Sequence, residues 1–215
     1  KLKSPKQFRL LGKSVARLDT PAKVNGTAVF GTDVDLPGML FGTVKHCKVF
    51  GEKLISVDDT KAKEVAGVIK IIPLENQAVI VAESTWAAMQ GADLLDLVST
   101  GGHKDLSDAS IFRQFRSDLS KSGVTAAHVG NPSKAMKDSK KVLELEYEMP
   151  MQAHATMEPI CATASVTPDE CNIWGPVQNQ DGVMGFAMSL TNLPPEKIKV
   201  NTTFVGGGFG RKFEV

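Results

Sequence analysis

The chain lacks an excess of either charge, a long apolar run and a working set of cysteines, and each shortage removes a class of function. Twenty-five Lys and Arg stand against 24 Asp and Glu, a formal net charge of +1, so nothing marks a nucleic-acid partner. The basic residues Lys1, Lys3 and Lys6, and the cluster Lys134, Lys137, Lys140 and Lys141, read as solvated faces rather than as a stripe that follows phosphates. No apolar stretch approaches the roughly 18 residues that a membrane-spanning helix needs, and no signal peptide opens the sequence. Cys47, Cys161 and Cys171 are odd in number and widely spaced, which fits neither a CxxC metal pattern nor a dense disulfide framework. Cys161 and Cys171 flank an expected hairpin, and separate buried thiols are the expectation for them. There is no internal repeat and no low-complexity segment.

What is present is a globular composition, 42% hydrophobic and 23% charged over 215 residues, enough for one domain and much of a second. Residues 1–24 are polar and irregular, with Pro5 and Pro21, and read as a linker or arm. From Val24 short β-rich runs follow at Ala28–Thr32, Met39–Val44, Lys53–Val57, Val68–Ile72 and Ala78–Ala82, each bounded by Gly, Pro, Asp or Asn. Between them, Asp58-Asp59-Thr60 is expected to cap a helix running to about Ala66, stopped by Gly67. A second helix is expected from Ser84, with Trp86, Met89, Ala92 or Asp93, and Leu94–Leu97 on its inner side. Residues 25–98 therefore form an α+β unit. Residues 99–140 are a connector with a helix capped by Ser107-Asp108, carrying Ile111, Phe112, Phe115 and Leu119, and a turn of helix opened by Asn131-Pro132. From Lys141 the alternation of Leu143, Leu145, Tyr147 and Met149 with Glu144, Glu146 and Glu148 predicts a half-exposed strand. A hairpin around Pro168-Asp169-Glu170, a helix from about Asp181 to Leu190, a short helix at Pro194-Pro195 and a strand Ile198–Phe204 complete the chain.

That last strand feeds Val205-Gly206-Gly207-Gly208-Phe209-Gly210-Arg211-Lys212. Three glycines in a row remove three β-carbons, so backbone amides can approach a ligand closely and adopt positive φ. Successive amides in such a turn make an anion-binding concavity, and Arg211 and Lys212 add positive charge. The run lacks the GxxxxGK[ST] spacing of a nucleotide P-loop and sits far from any first βαβ unit, which argues against a dinucleotide fold. Pro176-Val177-Gln178-Asn179-Gln180 places amides where a strand end meets a helix N-terminus. In Ala153-His154-Ala155-Thr156-Met157-Glu158-Pro159, a buried Glu158 receiving backbone hydrogen bonds is favoured over a His154–Glu158 metal pair.

These elements in this order resemble the molybdopterin-binding large subunit of the xanthine dehydrogenase and aldehyde oxidase family, and within it the isoquinoline 1-oxidoreductase beta type. The resemblance rests on Gly12 to Gly26, Leu36-Pro37-Gly38-Met39-Leu40, His154 to Pro159 and the glycine run, which span nearly the whole chain. It implies an α/β hammerhead domain over residues 25–98, and over 141–215 the first part of a molybdenum-cofactor-binding domain. The implied chemistry is hydroxylation of an electron-poor carbon, in an aldehyde or beside a ring nitrogen of an N-heterocycle, with water as oxygen source. Electrons would pass to a 2Fe-2S alpha subunit. Carried over residue by residue, Gln178 matches the family glutamine that hydrogen-bonds a molybdenum ligand. Gly207, Gly208, Phe209 and Gly210 match the loop against the metal's ligands and the pterin, with Arg211 and Lys212 beside it. No residue is carried over as a metal ligand or as catalytic, because the family's general-base glutamate belongs to sequence beyond Val215. Phe213 stands where xanthine oxidases carry a substrate-contacting Glu, which argues against a purine substrate. The expectation is a piece of a larger subunit, inactive alone, from a bacterial cytoplasm or, behind a twin-arginine signal, a periplasm. Two other functions fit the residues: a non-catalytic assembly module with a ligand-free loop, and an anion-binding module unrelated to molybdenum.

Overall fold

A computed structural model describes residues 2–214. In chain order it holds α1 (Thr20–Val24), β1 (Phe41–His46), β2 (Glu52–Asp58), β3 (Val68–Pro73), β4 (Gln77–Ala82), α2 (Thr85–Leu94) and β5 (Asp96–Gly101). Then come α3 (Asp108–Leu119), α4 (Pro132–Asp138), β6 (Thr163–Val166), β7 (Cys171–Gly175), α5 (Gln180–Thr191) and β8 (Ile198–Thr202). Helix and sheet are thus mixed along the chain. They belong to two compact units, one made of residues up to Leu36 together with those from Ala153 onward, the other of Pro37–Gln152.

In the Pro37–Gln152 unit, β1, β4 and β3 form an antiparallel sheet in that order, and β2 pairs antiparallel with β5. The strict alternation of β4 buries Ala78, Ile80 and Ala82, as a half-buried strand requires. Ser84 caps α2 by accepting a hydrogen bond from the Ala87 amide at 3.2 Å. The core contains Ala62, Ala78, Ile80, Ala92 and Leu95, flanked by Val57, Val68, Ile71 and Leu97. The inner face of α2 differs from the sequence expectation. Ala87, Ala88, Gly91 and Ala92 are buried, whereas Trp86 and Met89 are exposed. Small residues let the helix lie close on the sheet: a Cβ on Gly91 would stand 3.0 Å from the Cγ2 atoms of both Ile80 and Val68. The helix also ends earlier than expected. Leu95 turns into extended backbone and Leu97 lies within β5. Lys45 secures that end, donating from Nζ to the carbonyls of Ala92 at 2.7 Å and Leu95 at 2.5 Å, a cation at the negative pole of a helix.

Three other expectations shift. The helix after Asp58 contracts to a 3₁₀ turn at Ala62–Glu64, with Gly67 in the expected left-handed conformation (φ +87°). Ala28–Thr32 contributes one bridge, Phe30 to Phe204, before a 3₁₀ turn at Gly31–Asp33. The alternating segment Leu143–Met149 has no strand partner among the described residues and is irregular and exposed. Alternation specifies a sheet face but does not supply the neighbouring ladder that a strand needs. Arg116 of α3 instead forms ion pairs with Glu146 and Glu148.

In the other unit, β6 and β7 form the expected antiparallel hairpin, and β7 runs parallel to β8. The crossover between the parallel pair is α5, capped by Asn179 and stopped by Asn192 in the left-handed region. Cys171, Ala187 and Ile198 make its small core, with Ile173, Met184, Met188 and Leu193 packed around them. The three cysteines are free thiols, Cys171 buried and the other two half-buried.

Candidate functional site

Gln178 follows the carboxyl end of β7, and the glycine loop follows the carboxyl end of the parallel strand β8. In an open parallel arrangement this is the edge at which connecting loops converge on a ligand. The two loops are tied directly: the Gln178 amide donates to the Lys212 carbonyl at 2.9 Å. Asn179 adds a bond from Nδ2 to the Phe213 carbonyl at 3.3 Å, and Gln180 one from Nε2 to Thr202 Oγ1 at 3.2 Å. Sequence reasoning and structure thus bring the same two segments, 178–180 and 206–213, to one place.

The glycines are required by their surroundings. A Cβ on Gly208 would overlap Gln178 Oε1, and one on Gly206 would lie 2.6 Å from Glu158 Cβ. Gly207 and Gly210 have φ of +99° and +91°, values at which side chains are strained. Phe209 nonetheless adopts φ +53°, and its exposed ring reaches back over Gly207. Ala155, in the segment that packs against Gly207 through Thr156, has φ +44°. Two non-glycine residues in the left-handed region within one small assembly are a concentration of backbone strain of the kind that gathers at ligand sites.

Glu158 is buried, with its side chain 6% exposed, and the expectation of backbone hydrogen bonds to it is met. Oε1 accepts from the Gly31 amide at 2.9 Å, and Oε2 accepts from the Gly206 amide at 2.8 Å and from Lys212 Nζ at 2.6 Å. The Glu158 amide in turn donates to the Gly206 carbonyl at 3.0 Å, and Thr156 Oγ1 donates to the Glu158 carbonyl at 2.7 Å. Burial pushes the carboxyl up. The Lys212 ammonium, with the amides of Gly206 and Gly31, more than reverses this and holds it below the ordinary carboxylate value. Cys161 lies close by: burial, then the Glu158 charge, push its thiol up.

Lys212 departs from its expected place. Its side chain is 3% exposed and its charge is matched by Glu158, so it adds no positive field at the loop surface. Arg211 is exposed and pairs with Glu214. The loop's attraction for an anion therefore rests on amide dipoles. Among the described residues, the amides of Gly207, Gly208, Phe209 and Gly210 donate to no protein acceptor, leaving four successive donors in a turn where Gly207, Phe209 and Gly210 have positive φ. His154 is exposed, and no group of three or more His, Cys, Asp and Glu suited to a metal ion occurs among the described residues. Sequence reasoning foresaw Glu158 as buried but missed its partners. Gly31, Gly206 and Lys212 are 127, 48 and 54 residues away, and no local pattern couples positions so distant.

Residues 115–215 match the family model described as Molybdopterin cofactor-binding domain. The chain is 28% identical over 229 residues to the beta chain of isoquinoline 1-oxidoreductase from Brevundimonas diminuta, covering 99% of this chain and 29% of that protein. It is 27% identical over 221 residues to a nicotinate dehydrogenase subunit of Pseudomonas putida, covering 98% of this chain and 18% of that one. Among solved structures, aldehyde oxidoreductase from Desulfovibrio desulfuricans shares the fold with a TM-score of 0.70 at 17% identity, covering 100% of this chain and 29% of that chain. Quinoline 2-oxidoreductase from Pseudomonas putida 86 does so with a TM-score of 0.66 at 20% identity, covering 94% and 31%. The chain thus spans less than a third of the length of these relatives. The family match carries the glycine loop, Gln178 and Glu158 together, and the similarity to these proteins runs almost end to end. Residues 115–215 are thus similar to molybdopterin cofactor-binding domains, and almost the whole chain is similar to part of the isoquinoline 1-oxidoreductase and nicotinate dehydrogenase subunits.

Proposed function

We propose that this chain supplies part of the cofactor pocket of a molybdenum hydroxylase that oxidises N-heterocycles or aldehydes with water as the oxygen source. Gln178, Gly207, Gly208, Phe209, Gly210 and Arg211 would line the molybdenum–molybdopterin group. The observation that carries this is the row of four undonated amides beside Gln178, at the carboxyl ends of two parallel strands. The donor set suits the group: amide dipoles and a carboxamide can hold anionic oxygen or sulfur ligands without ligating the metal. When bound, the molybdenum centre supplies an oxygen nucleophile of lowered pKa and accepts two electrons.

The chain's own residues bind and orient. The Gln178 carboxamide presents a donor and an acceptor to one ligand of the metal, and the loop amides neutralise charge without protonic groups that would titrate. Phe209 offers a rigid apolar face at the mouth of the site. The names isoquinoline, nicotinate and aldehyde among the relatives support both substrate classes. Residues 25–98 would form the hammerhead domain and 99–140 a connector. A 2Fe-2S alpha subunit would take the electrons, and a general-base glutamate would come from outside these residues, so the isolated chain would not turn over. No helix among the described residues is long and apolar enough to cross a membrane.

The test is metal and pterin analysis of the full-length subunit purified with its electron-transfer partner. About one molybdenum and one pterin per subunit is the expected result, and absence of molybdenum from active enzyme refutes the proposal. A ligand-free assembly module would yield neither at any occupancy.

A further inference from the structure

The two ends of the glycine loop are held by the same carboxylate. Glu158 Oε2 accepts both from the Gly206 amide, which opens the loop, and from the Lys212 ammonium, which closes it. The same side chain reaches Gly31 with its other oxygen, and its backbone amide bonds the Gly206 carbonyl. Residues 207–210, in contrast, make no amide bonds to the protein among the described residues, and two of them hold positive-φ glycine conformations. A loop with that much glycine is conformationally loose unless its ends are fixed. A carboxylate with three donors and almost no solvent is a stiff fixture, because a charge-assisted network in a dry site resists rearrangement.

We propose that Glu158 is a positioning residue for the cofactor loop: by joining Gly206 to Lys212 it sets the span across which the amides of residues 207–210 converge. The proposal rests on the loop's assignment to the molybdenum cofactor, yet its core claim concerns the loop with or without a ligand. Glu158 also cancels the Lys212 charge, so the pocket's field is delivered by oriented dipoles. Glu158 is not a catalytic residue; its carboxylate is used up by Gly31, Gly206 and Lys212.

The experiment uses the full-length subunit with its partner, comparing wild type, Glu158→Gln and the double variant Glu158→Gln/Lys212→Met. Glu158→Gln strands a buried ammonium and is at risk of misfolding. The double variant removes both charges at similar volume and is expected to keep the fold. Amide hydrogen exchange is read by mass spectrometry on the segment covering 204–213 and on the β6–β8 segments, in cofactor-loaded and cofactor-free protein. Molybdenum per folded subunit is measured on the same samples. In the folded double variant, exchange of the bonded amides within 204–213, those of Phe204, Gly206, Arg211 and Phe213, should rise by about tenfold or more while the β6–β8 segments stay as in wild type. Molybdenum retention should fall by about tenfold as well, the affinity counterpart of the same loosening.

Unchanged exchange over 204–213 overturns the proposal, as does full molybdenum retention. Uniformly faster exchange, or failure of both variants to fold, also overturns it, because the pair would then be simply structural. If wild type holds no molybdenum, the cofactor assignment fails, and the exchange measurement on cofactor-free protein still decides the role of Glu158.

Discussion

Replacing Lys212 by Met should make the stability of the glycine-loop unit pH-dependent in a way the wild type is not. Among the described residues, Lys212 is the sole cation bonded to Glu158, and the pair is 3% and 6% exposed. Removing one member of a buried ion pair costs about 3–5 kcal/mol, since the remaining charge has lost its partner. Two amide donors, from Gly31 and Gly206, stay in place, which puts the expected cost at the lower end, about 3 kcal/mol at pH 7. The sign with pH follows from the carboxyl. In wild type it is held below its ordinary value. Its contribution is therefore complete above the unfolded-state pKa, about 4.3, and is lost as pH falls through the lower folded value. In the variant, burial is opposed by the two amides alone, and the carboxyl moves back up. Proton uptake then relieves the orphaned charge, so the difference from wild type should shrink from about 3 kcal/mol at pH 7 as the pH falls towards 4.5. Urea unfolding of the chain in a Trp86→Phe background reads this cleanly. Trp86 is exposed in the other unit, whereas Trp174 sits half-buried in β7 and reports the unit that holds the pair. A cost below about 1 kcal/mol at pH 7, or the same cost at both pH values, would refute the buried-pair account.

Two glycine substitutions separate stability from site geometry. In Gly208→Ala the new Cβ meets the end of the exposed Gln178 side chain, which can swing away. Unfolding should shift by no more than about 0.5 kcal/mol, while molybdenum retention and turnover of the intact enzyme fall. A large stability loss with normal molybdenum content would contradict this. In Gly31→Ala the Cβ would lie 2.6 Å from Pro176 Cδ and 2.7 Å from Cys161 Sγ, a clash with a ring that cannot turn aside. Overpacking of about 1–3 kcal/mol is expected, and Cys161→Ala in the same chain should recover part of it. Full recovery would mean that Pro176 carries none of the clash.

The glycine turn, the strand-to-helix junction at Gln178 and the burial of Glu158 were legible as local structure because each is a local statement: triple glycine after an alternating strand, a strand end meeting a helix cap, a carboxylate hemmed by prolines. The hairpin was legible from its turn residues Pro168-Asp169-Glu170, and β8 from the alternation of Ile198–Phe204, whereas the parallel pairing of β7 with β8 has no local signal. Illegible features depended on partners distant in sequence. Lys212 looked like part of a basic rim because nothing adjacent reveals a carboxylate 54 residues upstream. Trp86 and Met89 looked like core because they are large and correctly spaced. The sheet instead takes the small face of α2, since close approach is gained with Ala and Gly. Leu143–Met149 looked like a strand because alternation reports the face of a sheet and not the presence of a neighbour.

The bond from Gly31 to Glu158 joins residues 127 apart, and that separation has a consequence for how the molecule is made. The whole Pro37–Gln152 unit lies between the two halves of the other unit in sequence. On a ribosome, the inserted unit is synthesised completely, with all five of its strands, before the first residue of the β6–β7 hairpin emerges. The N-terminal arm must wait through that interval with its amide at Gly31 unmatched. Long-range closure of this kind is slow and follows local folding. The glycine-loop unit is therefore the late-forming unit in biosynthesis, and prior folding of the insert shortens the loop that its two halves must close.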